Sequence, residues 1–253
     1  MKELFDVRDK VVLVTGGSRG IGKMIAQGFV ENGARVYITS RKAEACDETA
    51  RELAAAGTCI SLPTDATQET GWTMLSESLE QREGKLDVLI NNAGAAWGQP
   101  LDEYPESGWD KVYDINVRGV FFLTQRLLPL LRKSAHPPAR IINIASINGI
   151  NPPAIETYAY SSSKAANIML TRHLAKRLAS ENILVNAIAP GPFRTAMMAG
   201  TLDKLGDKYI AENPLNRLGE TSDIAGTAIF MAAKASAYMT GAVIPCDGGV
   251  SQV

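Results

Sequence analysis

The chain has 253 residues, 45% of them hydrophobic, which suffices for one large α/β domain with a full core. A formal net charge of −1 gives no electrostatic case for nucleic acid or an anionic membrane as partner. Cys46, Cys59 and Cys246 are widely spaced without metal-ligand pattern, the first ten residues hold no secretory apolar region, and no apolar run approaches the ~18 residues of a membrane span, so a soluble cytoplasmic protein with reduced thiols, no metal and no membrane contact is expected.

The first strand is predicted at 11–15, an apolar run that ends in Thr15-Gly16-Gly17-Ser18-Arg19-Gly20-Ile21-Gly22 and leads into a helix over 20–32. Glycines spaced G-x-x-x-G-x-G let the backbone turn sharply and approach a pyrophosphate, while the helix amino end offers free N–H groups and a positive dipole. Strand, glycines and helix in this order make a dinucleotide site. Further strands are expected at 35–39, 58–62, 86–91, 140–145, 183–189 and 241–245, and further helices at 43–56, 67–82, 107–133, 157–180 and 221–234. Such alternation predicts a single-domain Rossmann fold over 1–253, a doubly wound parallel seven-stranded sheet flanked by helices. His136-Pro137-Pro138 interrupts the pattern, as does a Gly-, Pro- and Met-bearing stretch at about 192–218. A loop of that length is more often functional than not.

Charge at the end of the second strand bears on which dinucleotide is bound. A carboxylate there would bind a ribose 2′-hydroxyl and repel a 2′-phosphate. This chain has Thr39-Ser40-Arg41, with Arg19 inside the glycine turn. Two guanidinium groups can converge on a phosphate with bidentate, charge-assisted bonds, so NADP(H) is expected.

In Tyr160-Ser161-Ser162-Ser163-Lys164 the phenol and ammonium stand four residues apart and share one helix face. A nearby cation favours the phenolate and moves the phenol toward proton exchange near neutral pH, which makes Tyr160 a credible general acid. Tyr158 is excluded because position 162 is Ser. The histidines, His136 and His173, fit neither a triad nor a metal cluster.

These segments resemble the short-chain dehydrogenase/reductase family, and five more match its pattern in order over essentially the whole chain: Asp65, Asn91-Asn92-Ala93-Gly94, Asn116, Ser146, and Pro190-Gly191 with Thr195. Ala96-Trp97-Gly98, Tyr158-Ala159-Tyr160 and Ala237 to Gly241 are most similar to a branch of 3-oxoacyl reductases associated with rhamnolipid synthesis. The resemblance implies that Tyr160 protonates a ketone oxygen as hydride arrives, that Ser146 hydrogen-bonds that oxygen, and that Lys164 binds the nicotinamide ribose and depresses the tyrosine pKa. It implies that Asn116 holds a water in a proton relay, that Asn92 packs beside the cofactor, that Asp65 meets the adenine, that Thr195 meets the carboxamide, and that Ala93, Gly94, Pro190 and Gly191 are also cofactor-binding. Trp97, Ile147, Phe193 and Met197 fall where the family lines its substrate pocket, and 192–218 where it carries a lid. A homotetramer is implied as well, and the helix at 221–234, with apolar residues around much of its circumference, is read as interface.

Members that dock an acyl carrier protein keep an Arg where this chain has Glu181, which implies a free ketone or the thioester of another carrier. The expected activity is reduction of a small-molecule ketone such as a 3-oxoacyl compound. An alcohol, sugar or steroid dehydrogenase running oxidatively, and a catalytically silent nucleotide-binding regulator, stay open.

Overall fold

The computed structural model describes residues 2–252. Fifteen principal elements follow one another as β1 (Val11–Thr15), α1 (Gly20–Glu31), β2 (Arg35–Thr39), α2 (Ala43–Leu53), β3 (Thr58–Ser61), α3 (Glu69–Arg82), β4 (Val88–Asn91), α4 (Glu106–Tyr113), α5 (Gly119–Leu131), β5 (Ala139–Ile144), α6 (Tyr158–Leu178), β6 (Ile183–Pro190), α7 (Ala199–Ala211), α8 (Thr221–Ala232) and β7 (Val243–Cys246). All strand pairs are parallel, in the order β3-β2-β1-β4-β5-β6-β7. This is the doubly wound, seven-stranded sheet that the alternation predicts.

The apolar strands read as unbroken runs because both sheet faces are covered. Successive side chains point to opposite faces. Val12 and Val14 therefore join Ile25, Phe29, Ile224 and Met231 under α1 and α8, while Val11 and Leu13 join Leu75, Leu79, Leu123 and Leu127 under α3 and α5. Strand order reverses between β1 and β4, which opens a crevice at their carboxyl ends. Residues that follow β1, β4, β5 and β6 meet there.

Two expectations need correction. The helix at 107–133 is two helices, because Asp114–Arg118 forms a π-helical turn between α4 and α5. The segment 192–218 contains a regular helix, α7, that its sequence did not suggest. The apolar surplus of α8 has a further explanation: Ile224, Ala225, Ala228, Met231 and Ala232 are buried, and Ile229 and Phe230 pack on the same core. Most of that helix is thus spent inside its own subunit. No helix among the described residues is long and apolar enough to cross a membrane.

Candidate active site

The glycine turn is built by close approach. Gly16 and Gly20 adopt positive φ, and a Cβ on Gly22 would lie 2.4 Å from both the Gly16 oxygen and Asn92 Nδ2. Asn92 Nδ2 donates to the carbonyl oxygens of Thr15 (2.8 Å) and Gly16 (3.2 Å), while Thr15 Oγ1 accepts from the backbone N–H groups of Asn92 and Ala93. Asn92 thereby ties the turn to the end of β4. Thr49 on α2 donates to the Ser18 carbonyl at 2.9 Å and fixes the outer side of the turn. No side chain caps α1, and its N-cap residue Arg19 is extended, so the leading N–H groups of the helix lack a capping partner from that side chain. An uncapped amino end behind a positive-φ turn fits a pyrophosphate.

At the outer end of this turn Arg19 and Arg41 are exposed, and among the described residues neither pairs with a carboxylate. Ser40 Oγ donates to the Lys42 carbonyl at 3.2 Å. Asp65 Oδ1 accepts from the backbone and hydroxyl of Thr67, which leaves Oδ2 for another donor. On the far side, Pro190 ends β6, the Gly191 N–H donates to the Cys246 carbonyl, and Thr195 sits against Gly20, whose added Cβ would meet it at 3.4 Å. The start of the 192–218 segment therefore closes over the glycine turn.

Ser146 follows β5, and its Oγ accepts from the Asn148 N–H at 3.1 Å, which caps the short turn Ile147–Gly149. Gly149 lets that turn rest directly on α6, since a Cβ there would lie 2.6 Å from the Lys164 carbonyl carbon. Ser146 is brought beside Tyr160 in this way. Lys164 is 5% exposed, donates to the Ile144 carbonyl at 2.7 Å, and lies 5.6 Å from the centroid of the Tyr160 ring.

Burial pushes the Tyr160 phenol above its ordinary value, with the Ser146 hydroxyl pulling it down. Burial also lowers the Lys164 ammonium to about 8. The expectation that Lys164 draws the phenol downward is thus corrected. Desolvation is the largest influence on the phenol, and the Lys164 proton is aimed at a backbone carbonyl. The resulting neutral phenol is a proton donor at neutral pH. Tyr158 is outside this cluster; its hydroxyl donates to Glu156 at the surface.

Asn116 lies on the π-helical turn and is fully engaged. Oδ1 accepts from the Ala95 N–H (3.0 Å), Nδ2 donates to the Ala95 carbonyl (3.0 Å) and to Ser163 Oγ (2.9 Å), and its own carbonyl accepts from Asn167 Nδ2 (3.2 Å). Its side chain is a clamp between the loop after β4 and α6. Gly94 lies in that clamp, where a Cβ would be 3.1 Å from Asn116 Oδ1. Ser163 and Asn167 escaped sequence reasoning, although their spacing from Tyr160 places them on inward positions of one helix.

Of the four expected substrate contacts, Trp97 and Ile147 are half-buried and Met197 is exposed. Phe193 is different. It is 1% exposed, sits in the main core and packs on Gly219, where a Cβ would fall 2.3 Å from its ring. It anchors the 192–218 segment instead of lining a pocket. Glu181 also differs from its reading as a repulsive charge, because it is bound by Arg132 at 2.7 Å and by Arg177. Two guanidinium groups on one carboxylate leave that corner with a positive balance.

A family profile described as "Enoyl-(Acyl carrier protein) reductase" matches residues 16–251. The rhamnolipids biosynthesis 3-oxoacyl-[acyl-carrier-protein] reductase of Pseudomonas aeruginosa is 49% identical, with 98% of this chain and 99% of that protein covered. The 3-oxoacyl-[acyl-carrier-protein] reductase FabG of Thermotoga maritima is 35% identical over 95% of this chain and 97% of its own. Among solved structures, the Pseudomonas aeruginosa RhlG/NADP active-site complex superposes with a TM-score of 0.95 at 48% identity, covering 99% of this chain and 100% of the other.

Proposed function

The chain belongs to the short-chain dehydrogenase/reductase family, and from that premise we propose that it is an NADPH-dependent carbonyl reductase acting on a ketone such as a 3-oxoacyl thioester. The observation that carries this reading is the neutral, half-buried Tyr160 phenol beside the Ser146 hydroxyl, on a scaffold that superposes on an NADP complex throughout.

When bound, NADPH supplies a hydride to the carbonyl carbon. Ser146 Oγ hydrogen-bonds the carbonyl oxygen and fixes its direction. Tyr160 Oη gives its proton to that oxygen as negative charge develops there, so the product leaves as a hydroxyl and the phenolate is reprotonated from solvent. Lys164 keeps a cation beside the phenolate in that interval and binds the nicotinamide ribose. Asn116 holds the loop after β4 against α6. The backbone amides around Gly16, Ser18, Gly20, Ile21 and Gly22 receive the pyrophosphate, and Arg19, Ser40 and Arg41 take the 2′-phosphate. Asp65 meets the adenine. Asn92, Ala93 and Gly94 would lie beside the cofactor, with Pro190 and Gly191 also among the residues that hold it, and Thr195 would meet the carboxamide. Trp97, Ile147 and Met197 line the substrate side, beneath a lid at 192–218 within one domain.

A cytoplasmic homotetramer completes the proposal. Its support is exposed aromatic side chains on α4 and α5, where Trp109 is 41% and Phe121 and Phe122 are each 37% exposed. Light scattering at micromolar concentration tests it, and a fully active monomer of 27.1 kDa would sink it.

The deciding experiment for the reaction is NADPH consumption across 3-oxoacyl thioesters, 3-oxoesters, diketones, cyclic ketones and one enoyl thioester. Turnover confined to the ketones is expected. Turnover of the enoyl thioester alone, or oxidation of alcohols with no ketone reduced, would overturn the reading.

A further inference from the structure

Outside the residues assigned above, one side chain binds the two walls of the substrate cleft to each other. Glu156 lies in the loop before α6, four residues ahead of Tyr160. Its Oε2 accepts from the Leu101 N–H at 2.9 Å and from the Tyr158 hydroxyl at 2.8 Å, and its main-chain carbonyl accepts from the Gln99 N–H at 3.1 Å. Residues 99 and 101 belong to the loop after β4, the loop that carries Trp97. One residue thus joins the wall bearing the indole to the helix bearing the proton donor.

The same junction continues through aromatic rings. Tyr104 packs edge-on against Tyr158 with centroids 5.8 Å apart, and its hydroxyl donates to the Trp97 carbonyl at 3.1 Å. Gly108 on α4 supports the indole, since a Cβ there would come within 2.8 Å of the ring, and Lys111 lies 5.2 Å from the ring centroid. Trp97 is therefore backed by α4 and can shift only with the loop that Glu156 fastens. Glu156 is exposed, and two donors far apart in sequence converge on one of its oxygens, which gives the carboxylate a positional task. The Tyr158 phenol responds to it, being raised first of all by its hydrogen bond to Glu156.

Resting on the carbonyl-reductase reading above, we infer that Glu156 is a positioning residue that sets the distance between Trp97 and Tyr160 and so the width of the ketone-binding cleft. Among the described residues it makes no hydrogen bond to the proposed cofactor residues or to Ser146. Its loss moves substrate binding and not the chemistry.

The test uses the full chain with Glu156→Ala and Glu156→Gln. A glutamine oxygen still accepts from both donors, so Glu156→Gln rescues the position without the charge. Glu156→Ala is expected to raise KM for a bulky 3-oxoester about tenfold with kcat changed less than about twofold, because only binding common to ground and transition states is removed. The NADPH dissociation constant stays unchanged, and Glu156→Gln recovers most of the KM.

Amide exchange at Leu101, read by mass spectrometry, gives an activity-independent check, with faster exchange expected in Glu156→Ala and near wild-type exchange in Glu156→Gln. Faster exchange with no change in KM, or equal losses in kcat and NADPH affinity, overturns the positioning role. Wild-type enzyme that reduces no ketone overturns the parent reading instead, and is recognised because the exchange result stands without it.

Discussion

Lys164 shares a face of α6 with Tyr160 yet gives its proton to the Ile144 carbonyl at 2.7 Å, leaving its nitrogen 5.6 Å from the centre of the phenol ring. The cation therefore sits beside the ring while the hydroxyl is left to Ser146. Tyr160 stays protonated through neutral pH, the state a reductase needs before each turnover. Replacing Tyr160 with Phe removes only that hydroxyl. Turnover is expected to fall by ~10²–10⁴-fold with NADPH binding nearly intact, and Tyr158→Phe to matter much less. Steady-state kinetics with a fluorescence titration of NADPH checks both, and more than about a tenth of wild-type turnover in Tyr160→Phe would move the acid elsewhere.

The buried ammonium has a price in stability. Lys164 is lowered to about 8 in the folded chain, so between that pH and the ordinary lysine value the unfolded chain binds more protons. Stability from this group therefore rises with pH across that window, and its cost is fully present below about pH 8. Lys164→Met is expected to stabilise the cofactor-free protein at pH 7 by up to roughly 3 kcal/mol, less what the lost bond to Ile144 contributed. The gain fades toward pH 10. Urea melts at both pH values read this directly, and a variant equally destabilised at each would show that the hydrogen bond outweighs desolvation.

How much of this was legible beforehand varies with the kind of residue. The glycine turn was readable because Gly16 and Gly20 answer to a local backbone need that few other residues meet. The sheet was readable because strands covered on both faces are apolar throughout. Asn116 was findable as a position but not as a clamp, since its partner is the backbone of Ala95 in another segment. The helix α7 was hidden by Gly200 and Gly206, which lower helix propensity and have open space where a side chain would project. Phe193 was misplaced because an aromatic residue after a strand reads the same whether it faces a ligand or, as here, Gly219.

Gly149 provides a steric test of how Ser146 is held. It needs no unusual φ, and its constraint is the approach to Lys164, with an added Cβ 2.6 Å from the carbonyl carbon and 2.9 Å from Lys164 Cβ. Gly149→Ala pushes the Ser146 turn off α6. A stability loss of ~1–3 kcal/mol is expected, with kcat down on the order of 10- to 100-fold from displaced alignment. NADPH affinity should fall less than kcat, because the contact reaches the cofactor only through Lys164 and leaves the glycine turn untouched. An unchanged kcat would mean that the loop absorbs the methyl group elsewhere.

Cofactor choice turns on Arg41. Arg41→Asp removes an unpaired cation and adds an anion at the end of β2, where a 2′-phosphate would sit. Loss of a charged hydrogen bond alone is worth about 1.5–3 kcal/mol, or roughly ten- to a hundredfold against NADPH. The ratio of kcat/KM for NADPH to that for NADH is expected to fall by at least this much. Wild-type enzyme that already prefers NADH would refute the roles of both Arg19 and Arg41.

The corner formed by Arg132, Arg177 and Glu181 decides how the acyl group can be presented. Glu181 is held below its usual carboxylate range by its hydrogen bonds to Arg132 and then Arg177, so it is ionised at neutral pH and occupies both guanidinium groups. An acidic carrier protein would meet arginines already engaged, whereas a small thioester has no carrier to dock there. Glu181→Gln removes the competing charge. The expected result is a rise of ~3- to 10-fold in kcat/KM for a 3-oxoacyl group on an acyl carrier protein, largest at low salt because steering by surface charge is screened. Turnover of the matching N-acetylcysteamine thioester should not change. If both substrates respond alike, Glu181 acts through the fold and not through docking. If neither responds and the wild type already prefers the carrier-bound form, the two arginines remain available despite Glu181.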